Sequence, residues 1–230
     1  MPTIEVITSI VNGKDALVEQ PKSIHPYTAF TDTPMESKTW NIKPAYDKFV
    51  DPRRNSRIHK ILIHKYSNAD ITIWIDGNKH LLISPEDLVD MYLQDYDMAI
   101  YKHAGRDCLY DEAITCAKLK LDDPELIIEQ AKYYEDNGFA KGKGLCEGGA
   151  IIRRNNKRTR DFNEAWWADY CRFSRRDQLS LMPALYKAGV NVNIINEGYM
   201  YLPDGRATRE NGAMEITNHL TTEGNFNHNG

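Results

Sequence analysis

Short apolar runs alternate with amphipathic segments along most of the chain, and this alternation predicts its secondary structure. Strands are predicted where apolar and β-branched residues are continuous or alternate with polar ones. They cover residues 4–11, 27–31, 71–76, 80–83, 98–101, 145–153 and 190–195. Helices are predicted where apolar residues recur at helical spacing behind a capping residue. Two of them begin after Asp51 and after Ser84. Three more cover residues 107–120, 124–137 and 162–188, and the last is expected to bend at Pro183.

The order of these elements predicts an α/β fold. Strands that alternate with helices are typical of a layered domain in which helices flank a mainly parallel central sheet. At 230 residues the chain can bury a sizeable core, and it shows no repeat, low-complexity tract or linker. We therefore predict a single domain over residues 1–230. Its polar tail, from about residue 205 to 230, is expected to be flexible or to close over a ligand.

The stretch from Ile71 to Asn78 carries the strongest functional signal. An apolar, β-branched run ends there in an acid, a glycine and an amide, as in a buried strand that delivers polar groups to a ligand-binding sheet edge. The oxygens of Asp76 and Asn78 would suit a hard divalent cation, and Gly77 would let a ligand approach the backbone. An Asp-Gly-Asn hairpin turn explains the same residues equally well. The spacing alone leaves both interpretations open.

Polar clusters follow the other predicted strands as well. They are residues 12–15, Asp32, the group His103, Arg106 and Asp107, and the turn 145–149 that contains Glu147. Because the carboxyl ends of parallel strands meet at one edge of a sheet, these clusters and Asp76 could form one ligand site. Asp177 and Gln178 precede an apolar run on the last predicted helix, and we expect them to face a cleft rather than bulk water.

Composition indicates a soluble protein. Hydrophobic residues make up 41% and charged residues 27% of the chain, and no apolar run is long enough to cross a membrane. The first residues do not combine a basic region with an apolar one, so no signal peptide is predicted. The cysteines are scattered without metal-site spacing and are expected to be free thiols, which favours a cytoplasmic location. They are Cys108, Cys116, Cys146 and Cys171.

The net charge of the chain is −4, but the charge is unevenly distributed and one segment is strongly basic. Residues 141–177 carry ten lysines and arginines against five acidic residues, and arginines dominate the runs 153–160 and 172–176. A patch that faces the phosphates of a nucleotide, an acidic glycan or a nucleic acid would explain this segment. A solvated basic loop and helix face would explain it as well.

Several of these residues, taken in order, resemble a glycosyltransferase-like domain family that was long catalogued as a domain of unknown function. The specific elements are Trp74-Ile75-Asp76-Gly77-Asn78 and Ser174-Arg175-Arg176-Asp177-Gln178. The supporting residues are Phe30-Thr31-Asp32, Asp51-Pro52-Arg53-Arg54, Lys60, His103, Arg106, Tyr110, Glu112, Tyr133, Leu145, Glu147, Arg153 and Trp166-Trp167. The family includes plant Golgi proteins linked to mucilage and wall polysaccharides, and many bacterial members. The resemblance covers about residues 4–195.

The resemblance implies a GT-A-like fold, a nucleotide-sugar donor and a divalent cation, Mn²⁺ or Mg²⁺. Asp76 to Asn78 would stand where such enzymes carry an Asp-x-Asp metal motif. Asn78 departs from that motif, because an amide oxygen coordinates a metal with less charge than a carboxylate. His219 is the best candidate for a further metal ligand, and His228 is a poorer one.

We therefore predict a hexosyl- or pentosyltransferase that moves a sugar, with the help of a metal, from a nucleotide sugar to a hydroxyl group, most plausibly of a glycan or polysaccharide. The candidate donor-binding residues are Asp32, Arg57, Lys60, Asp76, Gly77, His103, Arg106 and Arg176. The candidate catalytic residues are Asp177, Glu147 and Gln178. Two alternatives stay open: a phage or bacterial enzyme that glycosylates hydroxylated DNA bases, and a domain that binds a nucleotide or glycan without catalysis.

Overall fold

The computed structural model describes residues 1–217, and two sheets and six helices organise them. The strands are β1 (Ile4–Ile10), β2 (Tyr27–Thr31), β3 (Trp40–Pro44), β4 (Ile71–Ile75), β5 (Lys79–Leu81), β6 (Met98–Lys102), β7 (Cys146–Arg154), β8 (Val192–Ile195), β9 (Tyr199–Tyr201), β10 (Ala207–Arg209) and β11 (Met214–Ile216). The helices are α1 (Pro52–Ile61), α2 (Pro85–Leu88), α3 (Leu109–Lys118), α4 (Pro124–Asp136), α5 (Lys157–Arg172) and α6 (Asp177–Ala188).

The larger sheet has seven strands in the order β3-β2-β1-β4-β7-β6-β8. Six of them are parallel, and β7 runs antiparallel between β4 and β6. The first residues of β7 therefore lie at the edge where the parallel strands end. The smaller sheet is antiparallel, in the order β5-β11-β10-β9. The prediction of an α/β fold with a mainly parallel central sheet is confirmed.

Both faces of the central sheet are buried, which explains why its strands are continuous apolar runs. Successive residues of a strand point to opposite faces. Ile73 therefore packs in one core cluster, with residues of α2 and the smaller sheet, and its neighbour Trp74 packs in the other. That second cluster includes Trp166 of α5 and Leu181 of α6. The helices α3 and α4 form a third cluster of their own.

The start of α1 follows the predicted signals. The side chain of Asp51 caps the helix by accepting a hydrogen bond from Arg53 N at 3.0 Å, and Pro52 occupies the first turn, where its missing N–H costs nothing. Basic residues lie on the side of α1 that reaches the sheet edge, among them Arg57 and Lys60. Local sequence thus determines where this helix begins and which cations it carries to the site.

The predicted helix over residues 162–188 is wrong, because the structure has two helices, α5 and α6. A capping box between Asn156 and Thr159 starts α5 earlier than predicted. The break lies at residues 173–176, where the backbone N–H of Arg175 donates to Asp122 Oδ2 at 2.5 Å instead of continuing a helix. Pro183 lies inside α6 and does not end it.

Part of the predicted C-terminal tail is regular structure. Strands β10 and β11 lie within residues 205–217 and pair with each other and with β9 and β5. Periodicity missed them because each strand has three residues. His219 and His228 lie outside the described residues. No helix among residues 1–217 is long and apolar enough to cross a membrane.

Candidate functional site

The polar residues that follow the strands meet at one edge of the central sheet. β1, β2, β4 and β6 end at this edge, and β7 begins there. Asp76 directly follows β4, and its backbone N–H donates to Gly149 O at 2.9 Å. The backbone N–H of His103, after β6, donates to Leu145 O at 2.9 Å. The structure therefore brings the clusters at Asp76, His103 and Glu147 together, as the sequence predicts.

Asp76 is a fixed negative charge at this edge. Its Oδ1 accepts a hydrogen bond from the indole Nε1 of Trp74 at 3.0 Å, which orients the carboxylate. Burial opposes its ionisation, but the positive charges of Lys60, Arg57 and Lys79 outweigh burial and lower the pKa of Asp76. The carboxylate therefore stays ionised within a largely cationic environment.

The residues after Asp76 form a turn that is not a hairpin. Lys79 N donates to Asp76 O at 3.0 Å, as in a β-turn, but β4 and β5 belong to different sheets. A Cβ on Gly77 would lie 2.7 Å from Ile10 Cγ1 of β1. Close packing against β1 therefore requires the glycine, whether or not a ligand approaches it.

The described donor set at this turn does not fit a divalent cation. Mn²⁺ and Mg²⁺ prefer several oxygen ligands, carboxylates above all. Asp76 is the single carboxylate of the motif, and three cations already lower its pKa. The buried Asn78 side chain donates from Nδ2 to Thr217 O at 2.9 Å and so ties the turn to the residue after β11. Residues 1–217 contain no group of three His, Cys, Asp or Glu that could hold a metal ion.

Two cations of α1 converge on the first residue of α6. Lys60 Nζ lies 2.6 Å and Arg57 Nε 3.2 Å from Asp177 Oδ2. Burial opposes the charge of Asp177, but the two cations hold its pKa far below the usual range. Asp177 in turn raises the pKa of Arg57 against the effect of burial. At neutral pH Asp177 is thus a carboxylate that positions two cations, and its low pKa makes it a poor proton acceptor.

The glycines at the start of β7 make room for two lysines. A Cβ on Gly148 would lie 2.5 Å from Lys60 Nζ, and one on Gly149 would lie 2.7 Å from Lys79 Cε. Sequence reasoning missed Lys79, although it directly follows Asn78. A cation beside a candidate phosphate site was the signal that could have identified it.

Glu147 belongs to a buried group that joins both sheets. Its Oε1 accepts hydrogen bonds from Arg209 of β10 and from the hydroxyl of Tyr199 of β9. The guanidinium of Arg209 is fully buried between the rings of Tyr101 and Tyr199, with its carbon 3.6 and 4.0 Å from their centroids. Within residues 1–217 no donor bonds to Glu147 Oε2. Arg209 could not be predicted from the sequence, because only tertiary pairing brings β10 to this edge.

An open cleft adjoins Asp76. It lies between the loop after β1 and the start of α1, and its volume with the open mouth is about 980 Å³. Its charged lining residues are Lys14, Asp15, Asp51, Arg53, Arg57, Asp76 and Arg175. Asp32 orders the loop from the neighbouring strand, since its Oδ2 accepts a hydrogen bond from Asn12 N at 2.7 Å. The cleft is open to solvent, and four cationic side chains and three carboxylates line it.

Two predicted donor-binding arginines contact a buried carboxylate. Arg106 Nε lies 2.5 Å and Arg176 Nη2 3.7 Å from the carboxylate of Glu112, whose side chain is 2% exposed. Burial opposes ionisation of Glu112, but hydrogen bonds from Cys116 and Arg106 lower its pKa. The structure thus accounts for both arginines as partners of Glu112, and their contact with a donor stays a prediction.

His103 and Gln178, two further predicted site residues, also lie near this edge of the central sheet. The ring Nδ1 of His103 accepts hydrogen bonds from Gly105 N and Arg106 N at 3.1 and 3.0 Å, which leaves Nε2 to carry the proton of the neutral ring. Gln178 follows Asp177, and its Nε2 is buried without a hydrogen-bond acceptor in residues 1–217. Its amide is therefore available to donate to a ligand.

The basic segment 153–176 is not a continuous exposed patch. Arg153 is 1% exposed and donates to Asn163 Oδ1 at 2.8 Å and to Lys60 O at 2.6 Å. Arg175 Nη2 donates to Asp122 Oδ1 at 2.6 Å. Arg154 and Arg158 similarly contact Tyr96 and Asp97. Many of these arginines therefore stabilise the fold, and only some of the positive charge is left for a ligand.

Sequence comparison shows which known proteins this chain is similar to. The chain matches the TOD1/MUCI70, glycosyltransferase-like domain family over residues 22–197. It is 27% identical over 157 residues to the probable hexosyltransferase MUCI70, and 27% identical over 151 residues to the alkaline ceramidase TOD1, both of Arabidopsis thaliana. These matches cover 63% and 60% of the chain but only 27% and 33% of the relatives. The chain thus spans about a third or less of the curated relatives it matches.

Solved structures of similar architecture include the galactosyltransferase LgtC in complex with donor and acceptor sugar analogs. The TM-score is 0.49 and the sequence identity is 11%. The match covers 87% of this chain and 76% of that chain.

Proposed function

Because the chain belongs to the TOD1/MUCI70, glycosyltransferase-like domain family, we propose that it transfers a sugar from a nucleotide-sugar donor to an acceptor hydroxyl. The observation that carries this proposal is the meeting of buried cations and carboxylates at the sheet edge, beside an open cleft. A nucleotide sugar needs both kinds of group. Cations bind its diphosphate, and carboxylates accept hydrogen bonds from its hydroxyls.

The proposed donor lies along the cleft. Its nucleoside occupies the part beneath the loop after β1, which Asp32 orders through Asn12. Its diphosphate lies toward Arg57 and Asp76, where the cleft meets the sheet edge. The sugar then faces the side of Glu147 and Asp177. This orientation gives every cation of the cleft a phosphate or carboxylate partner.

In the proposed reaction the acceptor oxygen forms a bond to the anomeric carbon of the sugar, and the bond from that carbon to the diphosphate oxygen breaks. The cations stabilise the negative charge left on the diphosphate. The acceptor proton passes to a base, for which Glu147 is our candidate through its Oε2. Asp177 acts as a positioning residue for Lys60 and Arg57. No step uses a metal, because the donors around Asp76 among residues 1–217 do not fit one.

The name of one relative, alkaline ceramidase, suggests a different reaction, hydrolysis of a lipid amide. Ceramide carries no charge, whereas four cationic side chains line the cleft: Lys14, Arg53, Arg57 and Arg175. Arg57 already pairs with Asp177 and Arg175 with Asp122, which leaves Lys14 and Arg53 without a carboxylate salt bridge in residues 1–217. The charge of the site therefore favours a nucleotide sugar over a neutral lipid.

For the acceptor we propose a glycan or polysaccharide. DNA is the alternative, and its phosphates would need a broad exposed basic surface. The arginines at 153 and 175 instead contact residues of the protein itself. A glycan hydroxyl needs no such surface, so the structure gives more support to the carbohydrate acceptor.

The test is turnover of a panel of nucleotide sugars with oligosaccharides or hydroxymethylated DNA as acceptors, followed through release of the nucleotide. We expect one donor to be consumed faster when an oligosaccharide is present, and Asp76→Asn to remove this activity. Faster release with DNA would instead indicate the DNA-modifying enzyme. Donor binding by calorimetry with no turnover or hydrolysis would indicate a non-catalytic domain.

A further inference from the structure

Two largely buried lysines flank the start of β7 near Asp76, which lines the cleft of the proposed donor site; neither lysine is itself a lining residue of that cleft. Lys60 is 2% and Lys79 is 5% exposed, and they contact the positions of Gly148 and Gly149. Because successive strand residues point to opposite faces, the two side chains approach the end of this strand from the two sides of the sheet. The charges of both lysines lower the pKa of Asp76, which directly follows β4.

The two ammonium groups differ in their partners. Lys60 Nζ donates to Asp177 Oδ2 at 2.6 Å. Lys79 Nζ has no hydrogen-bond acceptor in the described part of the chain and no carboxylate there within 4.0 Å. The Lys79 side chain is largely buried, but its Nζ is not among the fully buried polar atoms that lack a partner in residues 1–217, so the ammonium keeps contact with solvent. An ammonium that is held at the sheet edge without a direct partner can pair with an anionic ligand.

We propose that Lys60 and Lys79 bind the diphosphate of the donor in place of a divalent cation, so that donor binding and sugar transfer need no metal. Two ammonium groups carry the same total charge as one Mn²⁺ or Mg²⁺ ion. Lys60 keeps one N–H bond to Asp177, which holds this lysine in place, and the other five N–H bonds of the two ammonium groups can donate to phosphate oxygens. The inference rests on the proposed function for the identity of the ligand, a nucleoside diphosphate.

The glycines at positions 148 and 149 are compatible with this arrangement. Side chains at 148 and 149 would occupy the space of Lys60 Nζ and Lys79 Cε. Neither glycine has the positive φ that would itself demand glycine. The contacts with the two lysines therefore account for both residues.

The test is calorimetric titration of the full chain with inorganic pyrophosphate, UDP, GDP and ADP, in EDTA and again in Mn²⁺. We expect at least one probe to bind in EDTA with a Kd within about threefold of its value in Mn²⁺. Lys79→Met keeps the aliphatic stem and removes the charge, and it should weaken that binding by about tenfold or more. Lys132→Met is the matched control, because Lys132 is an exposed lysine of α4, and it should leave binding unchanged.

Binding that appears only with Mn²⁺ would overturn the inference, as would a failure of every probe to bind. An unchanged Kd for Lys79→Met would overturn it too. Should that variant fail to fold, Lys79→Arg keeps the charge, and the wild-type comparison between EDTA and Mn²⁺ needs no variant. Different results would contradict the two proposals. Turnover that requires Mn²⁺ would contradict this inference alone. Metal-free binding without turnover would contradict only the proposed function.

Discussion

Lys60 Nζ lies 2.6 Å from Asp177 Oδ2, so one ion pair joins the last turn of α1 to the first turn of α6. Both side chains are largely buried, at 3% and 15% exposure. Asp177 also gains from its position in the first turn of a helix, where the helix dipole favours an acid. The pair therefore connects the packing of two helices to the placement of a cation at the proposed donor site.

We expect Asp177→Asn to destabilise the protein and to weaken diphosphate binding. The substitution leaves the buried Lys60 ammonium with a neutral partner, and loss of one member of a buried pair typically costs about 3–5 kcal/mol. Urea denaturation would measure the loss. Glu164→Gln removes one acid from a half-exposed pair with Lys65 and should cost less than about 1 kcal/mol. Equal effects of the two substitutions would contradict the structural role assigned to Asp177.

A buried histidine should make the fold sensitive to mild acid. His59 is 1% exposed and stacks on Phe30, and its Nε2 accepts a hydrogen bond from Tyr46 N at 2.9 Å. Burial lowers the pKa of His59 from 6.5 to about 3. Below pH 6.5 the unfolded chain therefore binds a proton that the folded chain does not, and the stability falls until the pH nears 3.

The expected slope from His59 alone is at most about 1.4 kcal/mol per pH unit. Urea denaturation between about pH 7.5 and about pH 4.5 would measure it against His59→Gln, which keeps an acceptor for Tyr46 N. The variant should be less stable at neutral pH, but its stability should change less with pH. Parallel curves for the two proteins would show that His59 is not the titrating group.

The parts of the fold that could be predicted from sequence are those in which local pattern and tertiary burial agree. The continuous apolar run before Asp76 identifies a strand buried on both faces, and Asp51-Pro52 identifies a helix start, without knowledge of the partners. The fusion of α5 and α6 shows the limit of this reasoning. The interval around Arg175 keeps a helical composition, and only contacts with a distant loop, such as Asp122, break the helix.

The residues of the candidate site, too, could be predicted from the sequence only in part. Asp76 and Asp177 lie together because strand ends and helix starts meet at one edge of an α/β sheet, and Lys60 reaches Asp177 from the last turn of α1. Arg209 was not predictable, since a strand of three residues carries no periodicity and its contact with Glu147 joins positions 62 residues apart. The predicted contributions of Arg106 and Arg176 to donor binding have not been tested, and Glu112 already accounts for their positions.

Gly149→Ala should weaken diphosphate binding without a large loss of stability. The new Cβ would lie 2.7 Å from Lys79 Cε, so the lysine stem must move and carry its ammonium away from the site. We expect the Kd for pyrophosphate to rise by about fivefold or more. Gly105→Ala is the matched control, because its nearest neighbour would be 3.8 Å away, at His103 Cε1. Equal Kd values for both variants would argue against a role of Lys79 in binding.

Asn78→Asp restores the second acid of an Asp-x-Asp motif, and we expect it not to create a dependence on metal. In the structure Asn78 Nδ2 donates to Thr217 O at 2.9 Å. A carboxylate cannot donate there, and it would place a second acceptor against that carbonyl, so the free energy of unfolding should fall by about 1–3 kcal/mol. Thermal melts with increasing Mn²⁺ would test the metal, since an ion that binds only the folded state raises its melting temperature. Asn78→Ala loses the same hydrogen bond without adding charge and serves as the control. A melting temperature that rises with Mn²⁺ for Asn78→Asp alone would show that the turn can hold a cation once a second carboxylate is present, and that the amide at 78 is what keeps the site free of metal.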